Sequence, residues 1–463
     1  MTADLTLMTA GALLAGYRDK KISPVEVTEA VLAAIDRLDG TLNAYVLVDR
    51  EVALAEAAAS QKRWRVGVPK GRLDGVPVAI KDLIETKGWA CRRGSRSKPD
   101  TPAAADGPAA ARLREHGAIL IGATTTPEFG WKGVTDSPLT GVTRNPWNPE
   151  KTPGGSSGGS AAALAAGMAT LAVGTDGGGS IRIPAAFTGV FGIKPSYGVV
   201  PAYPASPFGT VAHIGPMARS VYDAALMLTV MAEPDPRNCN PLPTAHDDYS
   251  NDLDDGVEGL KIAFSPNLGG HPVDPEVAAL VAAAARRFED LGATVEEAEP
   301  ALPEVGEIFR IHWFAGAANL LAGMTPAQRA LLDPGLQQIA EEGAAIPLLD
   351  YLAAADKRRA LALAMSLFHQ DYDLLLTPSL PIPAFDAGLE TPPGAGEHRW
   401  VDWTPFSYPF NLTQQPAASI PCGLTKAGLP AGLQIVGPLY DDTVVLQAAR
   451  AYEMAAPYEM PRL

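Results

Sequence analysis

Two glycine-serine loops constrain this sequence more than anything else in it. The first is Gly154-Gly155-Ser156-Ser157-Gly158-Gly159-Ser160. The second is Gly174-Thr175-Asp176-Gly177-Gly178-Gly179-Ser180-Ile181-Arg182, and an alanine-rich run separates them. Glycine at this density costs backbone entropy on folding. A chain tolerates that cost where its backbone must approach a ligand closely, or where several N–H groups converge on one spot. Such a concave array of amides binds an anion or a developing oxyanion. Between the loops, Ala161 to Val173 reads as one very small-sided, tightly packed helix. The uncharged stretch containing it, Gly158 to Val173, is too short to span a bilayer comfortably.

Two common uses of such loops do not fit. A phosphate cradle needs Lys-Ser/Thr after the glycines, or a G-x-G-x-x-G opening a helix after a strand, and neither is present. A nucleophile elbow is matched by Gly154 to Gly158 as G-x-S-x-G, but it requires a preceding strand. The preceding residues are Asn145-Pro146-Trp147-Asn148-Pro149, a turn-rich segment. The downstream histidines (His213, His246, His271, His312, His369 and His398) carry no context that marks one as a partner, and each reads as a structural or surface residue.

Around the loops, strands alternate with helices. Ser23, Pro24 and Glu26 make a capping box that opens a helix from Pro24 to Leu38, with Val27, Val31, Ile35 and Leu38 on one face. Val76 to Lys81 reads as a strand, Pro108 to His116 as a helix stopped by Gly117, and Ala118 to Gly122 as a buried strand. Leu260 to Ser265, Pro275 to Leu291 behind Asp274, and Ala293 to Glu297 make a strand–helix–strand unit. Residues 302–370 read as mostly helical, with a start signal at Thr325, Pro326 and Gln328. Tyr372 to Thr377, Ala417 to Pro421 and Leu433 to Val436 are strands, and Thr443 to Glu453 is a closing helix. The pattern predicts an α/β fold: a single large domain whose central mixed, twisted sheet is covered by helices on both faces.

Charge and cysteine usage exclude several classes of function. Asp plus Glu number 52 against 37 Lys plus Arg, a net charge of −15. That balance argues against a nucleic-acid-binding surface or a polybasic membrane anchor. Cys91, Cys239 and Cys422 are sparse and far apart, without a C-x-x-C, so neither a disulfide framework nor a structural zinc site is expected. The N-terminus has no basic segment, and Asp4 interrupts its only apolar run, so no secretory signal is read. The expectation is a cytoplasmic monomer or homodimer. It needs no metal or organic cofactor and contacts neither nucleic acid nor membrane.

A third motif stands upstream, where Gly75-Val76-Pro77-Val78-Ala79-Ile80-Lys81-Asp82 ends an apolar strand in a lysine. Together with the two loops, in this order, it resembles the amidase signature family. Asn145-Pro146-Trp147, Phe191-Gly192-Ile193-Lys194-Pro195, Tyr408-Pro409-Phe410-Asn411-Leu412-Thr413 and Gly432-Leu433-Gln434-Ile435-Val436-Gly437 are similar to family features as well. The resemblance spans nearly the whole chain. It implies one amidase domain over residues 1–463, with 60–230 as the core that carries catalysis and 300–370 as a mostly helical cover to the substrate pocket.

It also implies a Ser–Ser–Lys triad, with Ser180 as nucleophile, Ser156 as bridging serine behind a cis Gly155–Ser156 bond, and Lys81 as general base. The chemistry is coherent: a serine hydroxyl needs a base within reach, and a lysine serves as one only when burial keeps it neutral. A neutral-to-alkaline pH optimum follows. The N–H groups of Gly177, Gly178, Gly179 and Ser180 are expected to form the oxyanion hole. Ser157 is expected to support by hydrogen bonding, Asp176 and Arg182 to brace the second loop, Asp82 to orient its turn, and Cys91 to be a free structural thiol. Gly177 stands where the family often carries a larger residue, which implies a looser loop or a wider acyl pocket.

The implied reaction is hydrolysis of a C–N bond at an acyl or carbamoyl carbon through an acyl-enzyme. Trp89 to Ser97, Gly130 to Ser137, Ala202 to His213, Ile308 to Met324 and Pro381 to Phe406 mix aromatic and apolar residues with few charges. They suit a small, uncharged, partly apolar amide, anilide or carbamate (urethane), with esters cut as well. Trp131, Trp313, Trp400 and Trp403 either line that pocket or fill core. One alternative is the glutamine-hydrolysing subunit of a tRNA-dependent amidotransferase. That subunit usually carries Thr-Asn-x-x-Glu-Phe where this chain has Thr124-Thr125-Thr126-Pro127-Glu128-Phe129. The other is a non-catalytic binding protein with a degenerate site, although Lys81, Ser156 and Ser180 are all present.

Overall fold

Eleven strands among the described residues form one sheet. They are β1 (Tyr45–Val48), β2 (Pro77–Lys81), β3 (Ile119–Thr124), β4 (Leu171–Asp176), β5 (Phe191–Lys194), β6 (His213–Ala218), β7 (Lys261–Phe264), β8 (Thr294–Glu297), β9 (Leu374–Pro378), β10 (Ala417–Leu424) and β11 (Pro430–Val436). Their spatial order is β1-β3-β2-β4-β6-β5-β10-β11-β9-β7-β8. The computed structural model describes residues 4–242, 248–394, 399–461 and 463, so His246 and His398 lie outside the described residues. Pairing is parallel through β3-β2-β4 and β9-β7-β8 and antiparallel at the other junctions, which makes the sheet mixed.

Successive residues of the central strands feed cores on opposite faces, because side chains alternate across a pleat. Val78 and Ile80 of β2 join one hydrophobic cluster while Ala79 joins another. In β4, Leu171 and Val173 join the first and Ala172 the second. In β9, Leu374 and Leu376 separate from Leu375 in the same way. Strands apolar on both faces require helices on both, and this is the arrangement the alternating elements predicted.

The 261–297 unit folds as read. The Asp274 carboxylate caps helix Pro275–Asp290 by accepting from the N–H groups of Glu276 and Val277, and β8 pairs parallel to β7 with Thr294 opposite Lys261. The capping box of Ser23 and Glu26 is formed, and its helix continues to Leu42. Residues 302–370 hold helices Val305–Ala322, Pro326–Arg329, Pro334–Ala344 and Leu348–Phe368.

One expectation is overturned. Ala161 to Val173 is not a single helix: the helix runs Gly158–Ala165, Gly167 turns the chain at φ +67°, and Leu171 begins β4. An alanine-rich stretch buried on every side has no periodicity to separate helix from strand. The sheet decides, since Ala172 lies between Ala79 of β2 and Met217 of β6. The second loop therefore starts at the carboxyl end of a central strand. Among the described residues no helix is long and apolar enough to cross a membrane.

Candidate active site

Lys81 is the last residue of β2 and shares its face with Ala79, the side on which the alanines of helix Gly158–Ala165 pack. The amino end of that helix carries Ser156 and Ser157 to the lysine. The side chain of Lys81 is fully buried, and its Nζ lies 2.7 Å from Ser156 Oγ, 2.8 Å from Ser157 Oγ and 2.9 Å from Thr175 Oγ1. No carboxylate is among these partners. Burial lowers the lysine pKa well below its ordinary value, against the opposing pull of Asp176.

The three hydroxyls are not equivalent. Ser157 Oγ donates to the Thr175 carbonyl at 3.1 Å and accepts from the Thr175 N–H at 3.2 Å. Its proton is committed to a carbonyl, so toward Lys81 it is an acceptor that positions the amine. Thr175 was not singled out from the sequence. The parallel register of β2 and β4, with Ile80 opposite Val173, carries residue 175 beyond the end of Lys81, and only that pairing reveals it.

The first loop owes its shape to close approach. The Gly155–Ser156 peptide bond is cis, and a Cβ at Gly155 would stand 2.5 Å from the backbone of Val134. Ser157 N–H donates to the Ser180 carbonyl at 3.1 Å, which ties the two loops together. Ser180 is 4% exposed and lines one cavity with Ser156, Thr175 and Gly177. Among the described side chains none is hydrogen-bonded to the Ser180 hydroxyl, that of Ser156 included.

Asp176 and Arg182 brace the second loop from a fully buried position. The guanidinium donates from Nε and Nη2 to the carboxylate at 2.9 Å each, and reaches on to Ser407 O, Gln434 Oε1 and Asn411 Oδ1 at 2.7, 2.8 and 2.7 Å. Burial alone would raise the Asp176 carboxyl; Arg182, Lys194 and Asn411 outweigh it and hold the pKa well below the usual carboxylate range. The same carboxylate accepts from Gly179 N–H at 2.7 Å and Ile181 N–H at 3.2 Å. This corrects the expected oxyanion hole, because the Gly179 amide is already spent on Asp176. The amides of Gly177, Gly178 and Ser180 have no acceptor among the described residues. Gly179 instead supplies φ +122°, a conformation closed to residues with a side chain.

The space beside Gly177, expected to give a looser loop or a wider acyl pocket, is occupied. A Cβ there would stand 2.8 Å from the indole of Trp313, so the missing side chain is replaced by an aromatic ring from helix Val305–Ala322. Trp313 lines the cavity, whereas Trp131, Trp400 and Trp403 are buried in the aromatic core behind it.

The cavity holds about 280 Å³. Of the segments expected to shape it, Ala202 to His213 supplies a whole wall, while Arg93, Gly130 and Trp313 each represent one other segment. Among the described residues of Pro381 to Phe406, none lines the cavity. Asn238, Cys239 and Asn240 were missed, since nothing in their sequence points to a pocket. His213 lines the wall as well. Its Nδ1 meets the carbonyls of Val211 and Asp176 at 2.8 and 3.2 Å, so that nitrogen carries the proton. Burial lowers its pKa well below the ordinary value and keeps the ring neutral. Asp82 accepts from the N–H groups of Arg92 and Gly94 at 3.0 and 2.9 Å and shapes the turn after β2.

Known proteins share this arrangement of elements. The family model described as Amidase matches residues 26–446. An acylamidase of Rhodococcus erythropolis is 37% identical over 466 residues, covering 98% of this chain and 97% of that protein. A glutamyl-tRNA(Gln) amidotransferase subunit of Myxococcus xanthus (strain DK1622) is also 37% identical, over 483 residues, covering 97% of each. A solved bacterial aryl acylamidase of the amidase signature enzymes matches with a TM-score of 0.91 at 33% identity, covering 98% of this chain and 97% of that one.

Proposed function

The chain belongs to the amidase signature family and is a hydrolase of carbon–nitrogen bonds; we propose that Ser180, Ser156 and Lys81 carry the reaction and that small, uncharged, partly apolar acyl amides, anilides or carbamates are its substrates. The observation that supports the roles is the Lys81 amine, fully buried among hydroxyls and without a carboxylate, beside the cavity that Ser180 lines.

Neutral Lys81 takes the Ser156 proton as Ser156 takes that of Ser180. Ser180 Oγ bonds to the substrate carbonyl carbon, and the charge on the carbonyl oxygen develops toward the amides of Gly177, Gly178 and Ser180. The proton returns from Lys81 through Ser156 to the leaving nitrogen. The C–N bond breaks, the amine departs and the acyl group stays on Ser180. Water attacks the acyl carbon through the same relay, which releases the acid and restores the Ser180 hydroxyl. The Ser180–Ser156 contact closes when substrate is bound, as catalytic contacts commonly tighten on complex formation.

The charge inventory of the cavity supports the substrate class. Glutamine would bring an ammonium and a carboxylate, each needing a partner when desolvated. Among the described residues Asp176 is the only carboxylate that lines the cavity, and both of its oxygens are occupied. Arg93 is the only lysine or arginine among the described lining residues, with Glu85 at 3.5 Å. The acylamide reading is thus favoured over a glutaminase.

A panel of acyl anilides, short aliphatic amides, phenyl carbamates, the matching esters and glutamine tests it. Anilides or carbamates are expected to show the highest kcat/KM, with esters cut as well and glutamine cut least. Glutamine leading the panel would overturn the substrate class. Labelling by a fluorophosphonate that persists in Ser180→Ala would overturn the nucleophile.

A further inference from the structure

Helix Leu348–Phe368 has apolar stripes on two opposite sides. Ala354, Leu361 and Met365 are buried against the molecule. Half a turn away, at 3.6 residues per turn, Leu348, Leu349, Leu352, Leu363 and Leu367 are exposed, from 48% at Leu352 to 75% at Leu349. A surface helix ordinarily places polar residues on that side. Five exposed leucines on one stripe form the kind of patch that marks an interaction surface. The middle of the stripe is charged: Asp356 and Arg359 are ion-paired to each other, with side chains 69% and 75% exposed.

Six residues of the stripe form a palindrome, and Leu349, whose mirror position is Ser366, stands outside it. Leu348 mirrors Leu367, Leu352 mirrors Leu363, and Asp356 mirrors Arg359, all about the point between residues 357 and 358. A two-fold axis through that point sets two copies of the helix antiparallel and brings each mirrored pair together, leucine on leucine and carboxylate on guanidinium. Moving the axis to residue 356 or 359 would instead set Asp356 on Asp356, or Arg359 on Arg359, so the charges disfavour those two registers.

We propose that this stripe is a homodimer interface, on which a second copy of the chain packs its own 348–368 helix antiparallel with Asp356 facing Arg359 across the axis. A single pair of helices, each about 30 Å long, is a small interface by the standards of stable complexes. Association is therefore concentration-dependent, with a Kd of micromolar order.

Sedimentation velocity of the full chain from about 1 to about 100 µM tests the proposal. The wild type is expected to pass from monomer to dimer over this range. Arg359→Asp and Asp356→Arg are each expected to sediment as monomers throughout, with unchanged hydrolytic activity as the check of folding. Mixed in equal amounts, they are expected to dimerise again, because one copy then offers two carboxylates to the two guanidinia of the other. A wild type that stays monomeric overturns the proposal, and its co-sedimentation with phosphatidylcholine vesicles would assign the stripe to lipid instead. Dimers that persist in both variants, or active variants whose mixture stays monomeric, overturn it equally.

Discussion

The indole of Trp313 fills the volume that a side chain at Gly177 would occupy, with a Cβ there only 2.8 Å from the ring. Trp313 is fixed from behind. It stacks on Phe208 at 3.9 Å and Phe309 at 5.4 Å, and its Nε1–H donates to the Trp131 carbonyl at 3.0 Å. A glycine on the loop and a tryptophan on a helix far along the chain thus form one wall beside the amides proposed to receive the oxyanion.

The shared volume sets an expected non-additivity. Gly177→Thr should drive the loop and the indole apart and displace the amides. Loss of one oxyanion donor costs about 3 kcal/mol, so kcat/KM for an acyl anilide should fall about 100-fold. Trp313→Ala opens the space, and the double variant should recover at least about tenfold over Gly177→Thr, because contacting residues couple. Kinetics of the four proteins decide; losses that simply add would show that the two residues do not share the space.

Lys81 sets the pH dependence. Its folded pKa lies below the ordinary lysine value because of burial, with Asp176 opposing. The proposed base works only unprotonated, so kcat/KM should rise as pH climbs through the lowered pKa and level off on the neutral-to-alkaline side. Thr175→Val removes an acceptor 2.9 Å from Nζ. Losing a hydrogen bond to the charged form disfavours that form, so the acid limb should move to lower pH. Lys81→Ala should lower the rate by about 10³-fold or more. A limb that stays in place in Thr175→Val, or a rate near wild type in Lys81→Ala, would contradict the role.

Asp176 and Arg182 bear on stability. Removing one partner of a buried pair costs about 3–5 kcal/mol, because the other charge is stranded. Asp176→Asn should therefore lower Tm by several degrees and weaken turnover, because one amide oxygen cannot accept from all the loop and guanidinium N–H groups that two carboxylate oxygens now serve. The folded carboxyl pKa is depressed, so its stabilising effect is complete above the unfolded value of about 3.9 and is lost as pH falls below it. Thermal melts across acidic pH should show wild type losing its advantage over Asp176→Asn below about pH 4. A constant difference between the two at all pH values would refute the linkage.

What the sequence disclosed depended on how locally each feature is encoded. The glycine-serine loops and Lys81 are contiguous words, and the structure gathers them at the carboxyl ends of β2 and β4. The caps at Ser23, Asp274 and Thr325 were legible because a cap is fixed by residues three apart. The boundary between helix Gly158–Ala165 and β4 was not, since a segment buried all round carries no amphipathic period. Thr175 and Asn238 reach the cavity through a pairing 94 residues apart or by chain return, and such contacts leave no local mark; Trp313 was named with Trp131, Trp400 and Trp403, but only the packing separates the one that lines the cavity from the three that fill core. The Gly179 amide was assigned to the oxyanion because four consecutive amides look alike in sequence, and only the Asp176 carboxylate distinguishes one of them.

Cys239 offers a handle on the cavity entrance. It is exposed, lines the cavity beside Asn238 and Asn240, and its sulfur accepts from Asn240 Nδ2 at 3.2 Å. Cys91 and Cys422 are partly covered, and burial pushes both thiols up to about 12. Thiolate fraction and access govern alkylation, so a bulky maleimide should modify Cys239 first, as peptide mass mapping would show. The adduct should obstruct the mouth and raise KM for a bulky acyl anilide several-fold more than for a short aliphatic amide. Cys239→Ser should keep wild-type kinetics and resist the reagent. Complete labelling of Cys239 with both KM values unchanged would remove the Asn238–Asn240 segment from the path that substrates take.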